Sequence, residues 1–322
     1  MQLSLTTAID VAKVLSIILC NPIFAVKTQS GPLECILTCS LGDEHTFLSI
    51  DSNRSLYVCC DKKKDSSCFT SLENISTESV HNLRNYSNDL SNIATQVLGG
   101  FSTKTDFRHF HLPSKVRLLA YICKTEKIAT YLKIHARKYE DIAGQTNAIL
   151  PSIESLIQFN TVIKNALRHS HDEDAQAEHY NAIAMESLAK CFQSYQETKS
   201  ISLKEIQRHE LCKDLVVWGY ANVDAPLSLE IAIEQLHTTR TSLSQGCKET
   251  MGIGPMEILR YIRLEHVYKA LTSSEIRKQL NLQKVEEIRE HYSFMSRGNF
   301  AGTYKTYFEE SPKKTLMKSE NN

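Results

Sequence analysis

The 322 residues carry 37 basic and 37 acidic side chains and are 42% hydrophobic. That length supports two domains with sizeable cores, and that composition excludes a disordered tail. A formal net charge of zero excludes the globally basic footprint of many nucleic-acid binders, so any nucleic-acid face requires local segregation of charge.

Ten cysteines without a paired framework suit a reducing compartment. Cys35, Cys39, Cys59, Cys60 and Cys68 sit among apolar residues without Cys-x-x-Cys spacing, so buried thiols are expected rather than zinc ligands. The apolar run Val11–Val26 lacks a preceding basic cluster and comes just after Asp10. Leu19 also occupies the position where lipoprotein processing at Cys20 needs a small residue. The run is too short and interrupted to span a bilayer, and a cytoplasmic protein with no membrane partner is expected.

Gly31-Pro32 opens a strand-rich region. Leu33–Ser40, His45–Ile50 and Ser55–Cys60 alternate between Gly42-Asp43 and Asp51–Asn53 turns, predicting an antiparallel sheet. Lys62–Asp65 reads as a solvated tip. Between Leu90 and Ile122, further strands are expected at Gln96–Gly100, Phe107–Leu112 and Val116–Cys123, although Ala120–Leu132 also fits one helix. If these strands enclose a barrel, its interior is the default effector pocket. Phe101, Arg108, His109 and His111 lie near it, and a packed-core or loop role is expected for each over ligand contact.

From Pro151 to about Lys199 two helical patterns dominate, one carrying Ile153, Leu156, Ile157 and Phe159, the other Ala182 to Phe192. His169, His171 and His179, with Asp172, Glu173, Asp174 and Glu178, fall in the polar segment between them. Their spacing matches no helical zinc motif, and an exposed connector is expected. A helix from Ile206 to Tyr220 carries Trp218, the only tryptophan, expected as a core anchor that braces the helical unit beginning near Pro226.

Two short-helix, turn, longer-helix patterns occupy Leu227–Leu316. In the first, Pro226-Leu227-Ser228 begins a helix with Leu229, Ala232, Ile233 and Leu236, and Thr239 caps a second helix that ends at Gly252. An amphipathic helix from about Met256 to Leu271 comes after Gly254-Pro255. Its span, on the order of 24 Å, lets flanking units meet major grooves about 34 Å apart. The second unit has Val285, Ile288 and Tyr292, a turn at Ser293-Phe294, and a helix carrying Phe300, Tyr304 and Phe308 that Pro312 stops.

Arg240, Thr241, Ser244 and Gln245 fall on the outer face of the first longer helix, and Arg297, Asn299 and Thr303 on that of the second. Short hydrogen-bonding side chains and an arginine suit base edges, while Lys248, Lys305 and Lys313 suit phosphates. Basic and acidic residues are equal in number from Glu205 onward, so Glu265, Glu286, Glu287 and Glu290 must lie away from any duplex.

Gly246-Cys247-Lys248, Gly252, Gly254-Pro255, Tyr261, Arg263-Leu264 and the Tyr292–Pro312 block, in that order, resemble AraC-type transcriptional regulators. The resemblance covers the last third closely and the preceding region weakly. It implies an α+β chain: a β-rich, cupin-like sensor with helices over 1–145, a helical connector over 146–204 with possible homodimer contacts, and an all-α double helix-turn-helix domain over 205–322. It further implies a regulator without enzymatic activity or cofactor. Its partners would be double-stranded promoter DNA, RNA polymerase and an unknown small-molecule effector. The chain departs from the pattern at Ile233 and Arg289, where small residues are usual, at His237 and Ser293 in place of turn glycines, and at Cys247 in place of a core Phe. These departures open an alternative, a degenerate reader serving as a protein-interaction or antagonist module.

Overall fold

The computed structural model describes residues 1–73, 96–103, 105–169, 174–195, 203–226 and 228–320. Leu90, His171, Asp172, Glu173 and Leu227 lie outside them. Alternating apolar residues set the architecture of the first half. Strands β1 (Gln2–Leu5), β3 (Cys35–Leu41), β4 (His45–Ser52), β6 (Ser66–Glu73), β7 (Leu98–Gly99), β9 (Val116–Lys124) and β10 (Ala148–Ile149) form a seven-stranded sheet in the order β1-β3-β4-β9-β6-β7-β10. Strands β2 (Ile23–Lys27), β5 (Leu56–Asp61) and β8 (Phe107–Leu112) form a second sheet, and every pairing in both is antiparallel.

Each sheet packs against other elements on both faces, although Ile36 and Leu41 of β3 stay exposed. Leu37, Leu48, Ile50, Leu118 and Ala120 of the larger sheet meet Ala25, Leu56 and Val58 of the smaller, with helix α1 (Ala8–Leu19) closing one end through Val11 and Leu15. The alternate residues Phe47, Phe69 and Tyr121 pack under helices α2 (Thr125–His135), α3 (Tyr139–Ala143), α4 (Ile153–Arg168) and α5 (Asp174–Gln193). On the smaller sheet, Val26, Tyr57 and Cys59 point the other way, into the core of the first helix-turn-helix unit. A period-two strand thus faces two different cores with successive residues.

The C-terminal part is all-helical: α6 (Leu203–Ala221), α7 (Leu229–Gln235), α8 (Arg240–Met251), α9 (Pro255–Thr272), α10 (Ser274–Leu280), α11 (Val285–His291), α12 (Arg297–Phe308) and α13 (Pro312–Glu320). Ile258, Leu259 and Ile262 on the first half of α9 pack with α6–α8, whereas Leu264, Val267 and Leu271 pack with α11 and α12. One amphipathic helix therefore joins two separate cores. Gly246 lets α8 approach α6, because a Cβ there would lie 2.3 Å from the Arg208 carbonyl oxygen.

Several expectations need correction. The helix carrying Phe300, Tyr304 and Phe308 ends at a left-handed Glu309 before Pro312, and Pro312 itself begins α13, since proline is tolerated in a first turn whose N–H needs no intrahelical partner. Helix α10, capped by Ser273, is an addition to the expected elements; its seven residues are too short for a periodic signal. Ala120–Leu132 divides at Thr125, where β9 passes into α2. Of the apolar pattern on α4, Leu156 and Phe159 are buried, whereas Ile153 and Ile157 are 57% and 59% exposed. Lys62 is no solvated tip, because it is half-buried and its Nζ donates to the Ser102 carbonyl at 2.6 Å. Glu178 and His179 are not in a connector but on α5, where the Glu178 carboxylate lies 3.6 Å from His45 Nδ1. No helix among the described residues is long and apolar enough to cross a membrane.

Candidate nucleic-acid interface and effector cavity

The two helix-turn-helix units share one construction. Ser228 caps α7 by accepting from the Ile231 N–H at 3.3 Å, and Thr239 caps α8 by accepting from the Ser242 N–H at 3.2 Å. Ser296 does the same for α12, accepting from the Asn299 N–H at 3.4 Å. In each turn the chain takes a left-handed residue, His237 at φ 48° and Ser293 at φ 59°, where glycine is favoured. Hydrogen bonds from Thr238 N–H to the Ile233 carbonyl and from Phe294 N–H to the Arg289 carbonyl close the two turns alike. The large side chains at the usual small positions are accommodated differently. Ile233 is half-buried against the first core, while Arg289 extends along its turn and donates to the carbonyls of Phe294 and Met295.

Helix α8 presents Arg240, Thr241, Gln245 and Lys248 to solvent, with Ser244 half-exposed; Leu243, Gly246 and Cys247 face inward. Helix α12 presents Arg297, Asn299 and Lys305 while Phe300, Tyr304, Tyr307 and Phe308 are buried, and Lys313 is exposed on α13. Asn299 and Thr303 also line a cleft of about 440 Å³ between α12 and α9, which receives Ser30 from the β2–β3 loop. The cleft adds Arg260, a basic residue hidden from sequence by the apolar stripe of α9.

The arginines that open α8 and α12 are both already engaged. Arg240 Nη2 lies 2.6 Å from Glu230 and Arg297 Nη2 lies 3.1 Å from Glu286, each glutamate coming from the first helix of the same unit. Glu287 instead caps its own helix by accepting from the Gln283 and Lys284 N–H groups. Glu290 pairs with Arg289, and Glu265 is buried against the β-rich part. A further carboxylate, Glu249, gathers three partners: Arg208 through two bonds of 2.8 Å, the Gln245 amide at 2.9 Å and His209 at 3.8 Å.

That His209 ring reaches back to the smaller sheet. It stands edge-on to His109 of β8 at 5.2 Å, and both rings line a cavity of about 340 Å³ between the two sheets. Leu48, Ile50, Val58, Leu118 and Ile122 form its apolar wall, and Arg108 and Ile206 complete it. Burial, followed by the neighbouring His209 and His111, pushes the pKa of His109 down to about 3, so the ring is neutral at physiological pH. Of the other residues singled out, Phe101 is a core residue, and His111 meets the Thr28 hydroxyl at 3.1 Å.

The β-rich and all-helical parts are joined through charge as well as apolar area. Lys27 of β2 and Glu265 of α9, 1% and 2% exposed, lie 3.6 Å apart. The ammonium donates to the Gly31 carbonyl at 2.7 Å and lies over the rings of Tyr307 and Phe308, while Glu265 accepts from the Ala8 N–H at 3.0 Å. Burial draws both groups toward their neutral forms, and each opposes that shift in the other. Tyr307 also donates its hydroxyl to the Lys27 carbonyl, and Gly31 N–H donates to the Tyr307 carbonyl.

All ten cysteines are free, and Cys35, Cys39, Cys59, Cys123, Cys191, Cys212 and Cys247 are buried. Burial pushes the Cys35, Cys123 and Cys191 thiols up to about 12, which keeps them protonated and unreactive.

No family model matches the chain. A probable thc operon regulatory protein from Rhodococcus erythropolis is 30% identical over 96 residues, covering 30% of this chain; the chain spans only 28% of that relative's length. Among solved structures, a transcriptional regulator with an AraC-type DNA-binding domain from Chromobacterium violaceum aligns with 35% of this chain and 95% of its own, at 19% identity and TM-score 0.31. The AraC-like transcriptional activator CuxR aligns with 84% of this chain and 96% of its own, at 10% identity and TM-score 0.39. The chain is similar to AraC-type regulators.

Proposed function

We propose that the chain is a non-enzymatic, cytoplasmic transcriptional regulator that binds promoter DNA through α8 and α12 and responds to a small molecule held between its two sheets. The observation carrying this reading is the repeated unit. Two longer helices with capped N-termini, buried inner faces and an arginine at the start of the outer face are packed at opposite ends of α9. Arg240 and Arg297 are the base-reading candidates, Thr241, Ser244, Gln245, Asn299 and Thr303 the hydrogen-bonding readers, and Lys248, Lys305 and Lys313 the phosphate contacts. Homodimerisation through α4, on which Ile153 and Ile157 are exposed, and contact with RNA polymerase belong to the same proposal.

The test is binding of purified protein to its own promoter region across a salt series. A sequence-selective complex that weakens with salt and loses selectivity in Arg240→Ala/Arg297→Ala supports the regulator, with each lost base contact costing about 1–3 kcal/mol. The alternative, an interaction or antagonist module, draws on the glutamate pairing of both arginines. Binding indifferent to sequence at low salt, with or without cell extract as an effector source, makes that alternative the better reading.

A further inference from the structure

A second lobe opens on the other side of Arg108 from the apolar cavity. Its volume is about 410 Å³, and Arg108, Cys68, Gly100 and Thr105 line both spaces. The first is lined mainly by Leu, Ile and Val together with Lys63, Asp65 and His209, whereas the second is walled by Lys62, Lys64, Thr125, Tyr139, Asp106 and Glu140.

Arg108, common to both linings, is an incompletely matched cation. Arg108 donates to the Ser66 hydroxyl at 3.2 Å and to the Ser66 carbonyl, its Nε is buried without a hydrogen-bond partner, and no carboxylate pairs with it among the described residues. Lys62 stands close enough that, after burial, the charge of Arg108 is the main cause lowering its pKa, with Asp106 opposing. Holding two cations together in a partly desolvated wall is unfavourable unless an anion joins them.

We infer that the two lobes take a single-chain amphiphile with a phosphate-bearing head, the chain lying between the sheets and the phosphate on Arg108 and Lys62. This rests on the effector reading under Proposed function and names the ligand class. Asp106 and Glu140 then accept from hydroxyl or amino groups of the head. A free fatty acid would fill the apolar lobe and leave the second unused, and a small phosphate would do the reverse.

Calorimetric titration of the full chain, without DNA and below micellar concentrations, tests this with myristoyl lysophosphatidate, myristate and glycerol phosphate. Lysophosphatidate is expected to bind once per chain, about tenfold or more tighter than myristate, because hydrogen bonds to an ionised head are each worth on the order of one such factor. Arg108→Met and, separately, Lys62→Met should remove most of that advantage while leaving myristate affinity nearly unchanged; two variants keep the test intact if one fails to fold. Equal affinity for myristate, equal affinity for glycerol phosphate, or unchanged affinity in a folded variant overturns the inference. Selective promoter binding with no lysophosphatidate binding overturns the ligand class alone. Lysophosphatidate binding without selective promoter binding leaves the ligand class standing and overturns the regulator.

Discussion

Glu230 and Glu286 occupy matching places in the two units, and each holds the arginine that would first meet a base. These are exposed pairs, weak in solution and screened by salt, so DNA can displace the glutamate. It still leaves a carboxylate beside the phosphate backbone. Glu230→Gln/Glu286→Gln should therefore tighten promoter binding severalfold at low salt, with the gain shrinking as salt rises; a fluorescence-anisotropy titration showing no change at any salt would sink this account. Such pairing is hard to read from sequence, because each partner lies in a different helix. The caps Ser228 and Thr239 are legible because a capping side chain acts on its own next few residues. Arg289 is legible only as an intrusion: that it ties down the carbonyls of Phe294 and Met295 depends on the turn's path. Losing those bonds, Arg289→Ala should lower the stability of the second unit by about 1–3 kcal/mol, read by hydrogen exchange of α11 and α12 amides.

At the scale of elements, β2, α9 and α12 meet at Lys27 and Glu265. A buried ion pair is expensive to break singly and nearly neutral to replace as a pair. Lys27→Met or Glu265→Leu alone should each cost about 3–5 kcal/mol in urea denaturation, and the double variant should recover most of it. Additive losses in the double variant would show that the two side chains are not coupled. Strands β3, β4, β5, β8 and β9 and helices α8, α9 and α12 are readable from alternation, caps and periodicity, all of which are local. Lys27 carries no such signal. It closes an apolar strand, and its partner is distant in sequence. The cavity is foreshadowed only as the interior of a possible barrel; its contact with His209 depends on how α6 crosses β8.

The whole molecule carries an acid sensitivity. Burial holds His109 at about 3 and both His111 and His266 at about 4, below the usual value of about 6.5 for an unfolded chain. Because these pKa values are depressed on folding, the unfolded chain binds more protons between those limits and stability falls as pH falls. The contribution is fully present above about pH 6.5 and is lost progressively toward pH 4 and below. Melting temperatures measured from pH 7.5 to 4.5 should decline through this window, and His111→Gln or His266→Gln, if folded, should flatten the decline. A flat profile in the unaltered protein would contradict the burial of these rings.

The three-stranded sheet has a consequence for how such a protein can be rebuilt. Along β5, Leu56, Val58 and Cys60 belong to the core between the sheets and the alternating Tyr57 and Cys59 to the core of the first helix-turn-helix unit. The boundary between the two halves therefore runs through a single strand, residue by residue, rather than through a connector. A chimera that cuts at 204 and grafts on a foreign reader would set unfamiliar side chains against Tyr57 and Cys59. Transplanting the sensing half intact requires carrying the outward residues of β2 and β5 with the recipient's helices, as a tailor matches a lining to its coat.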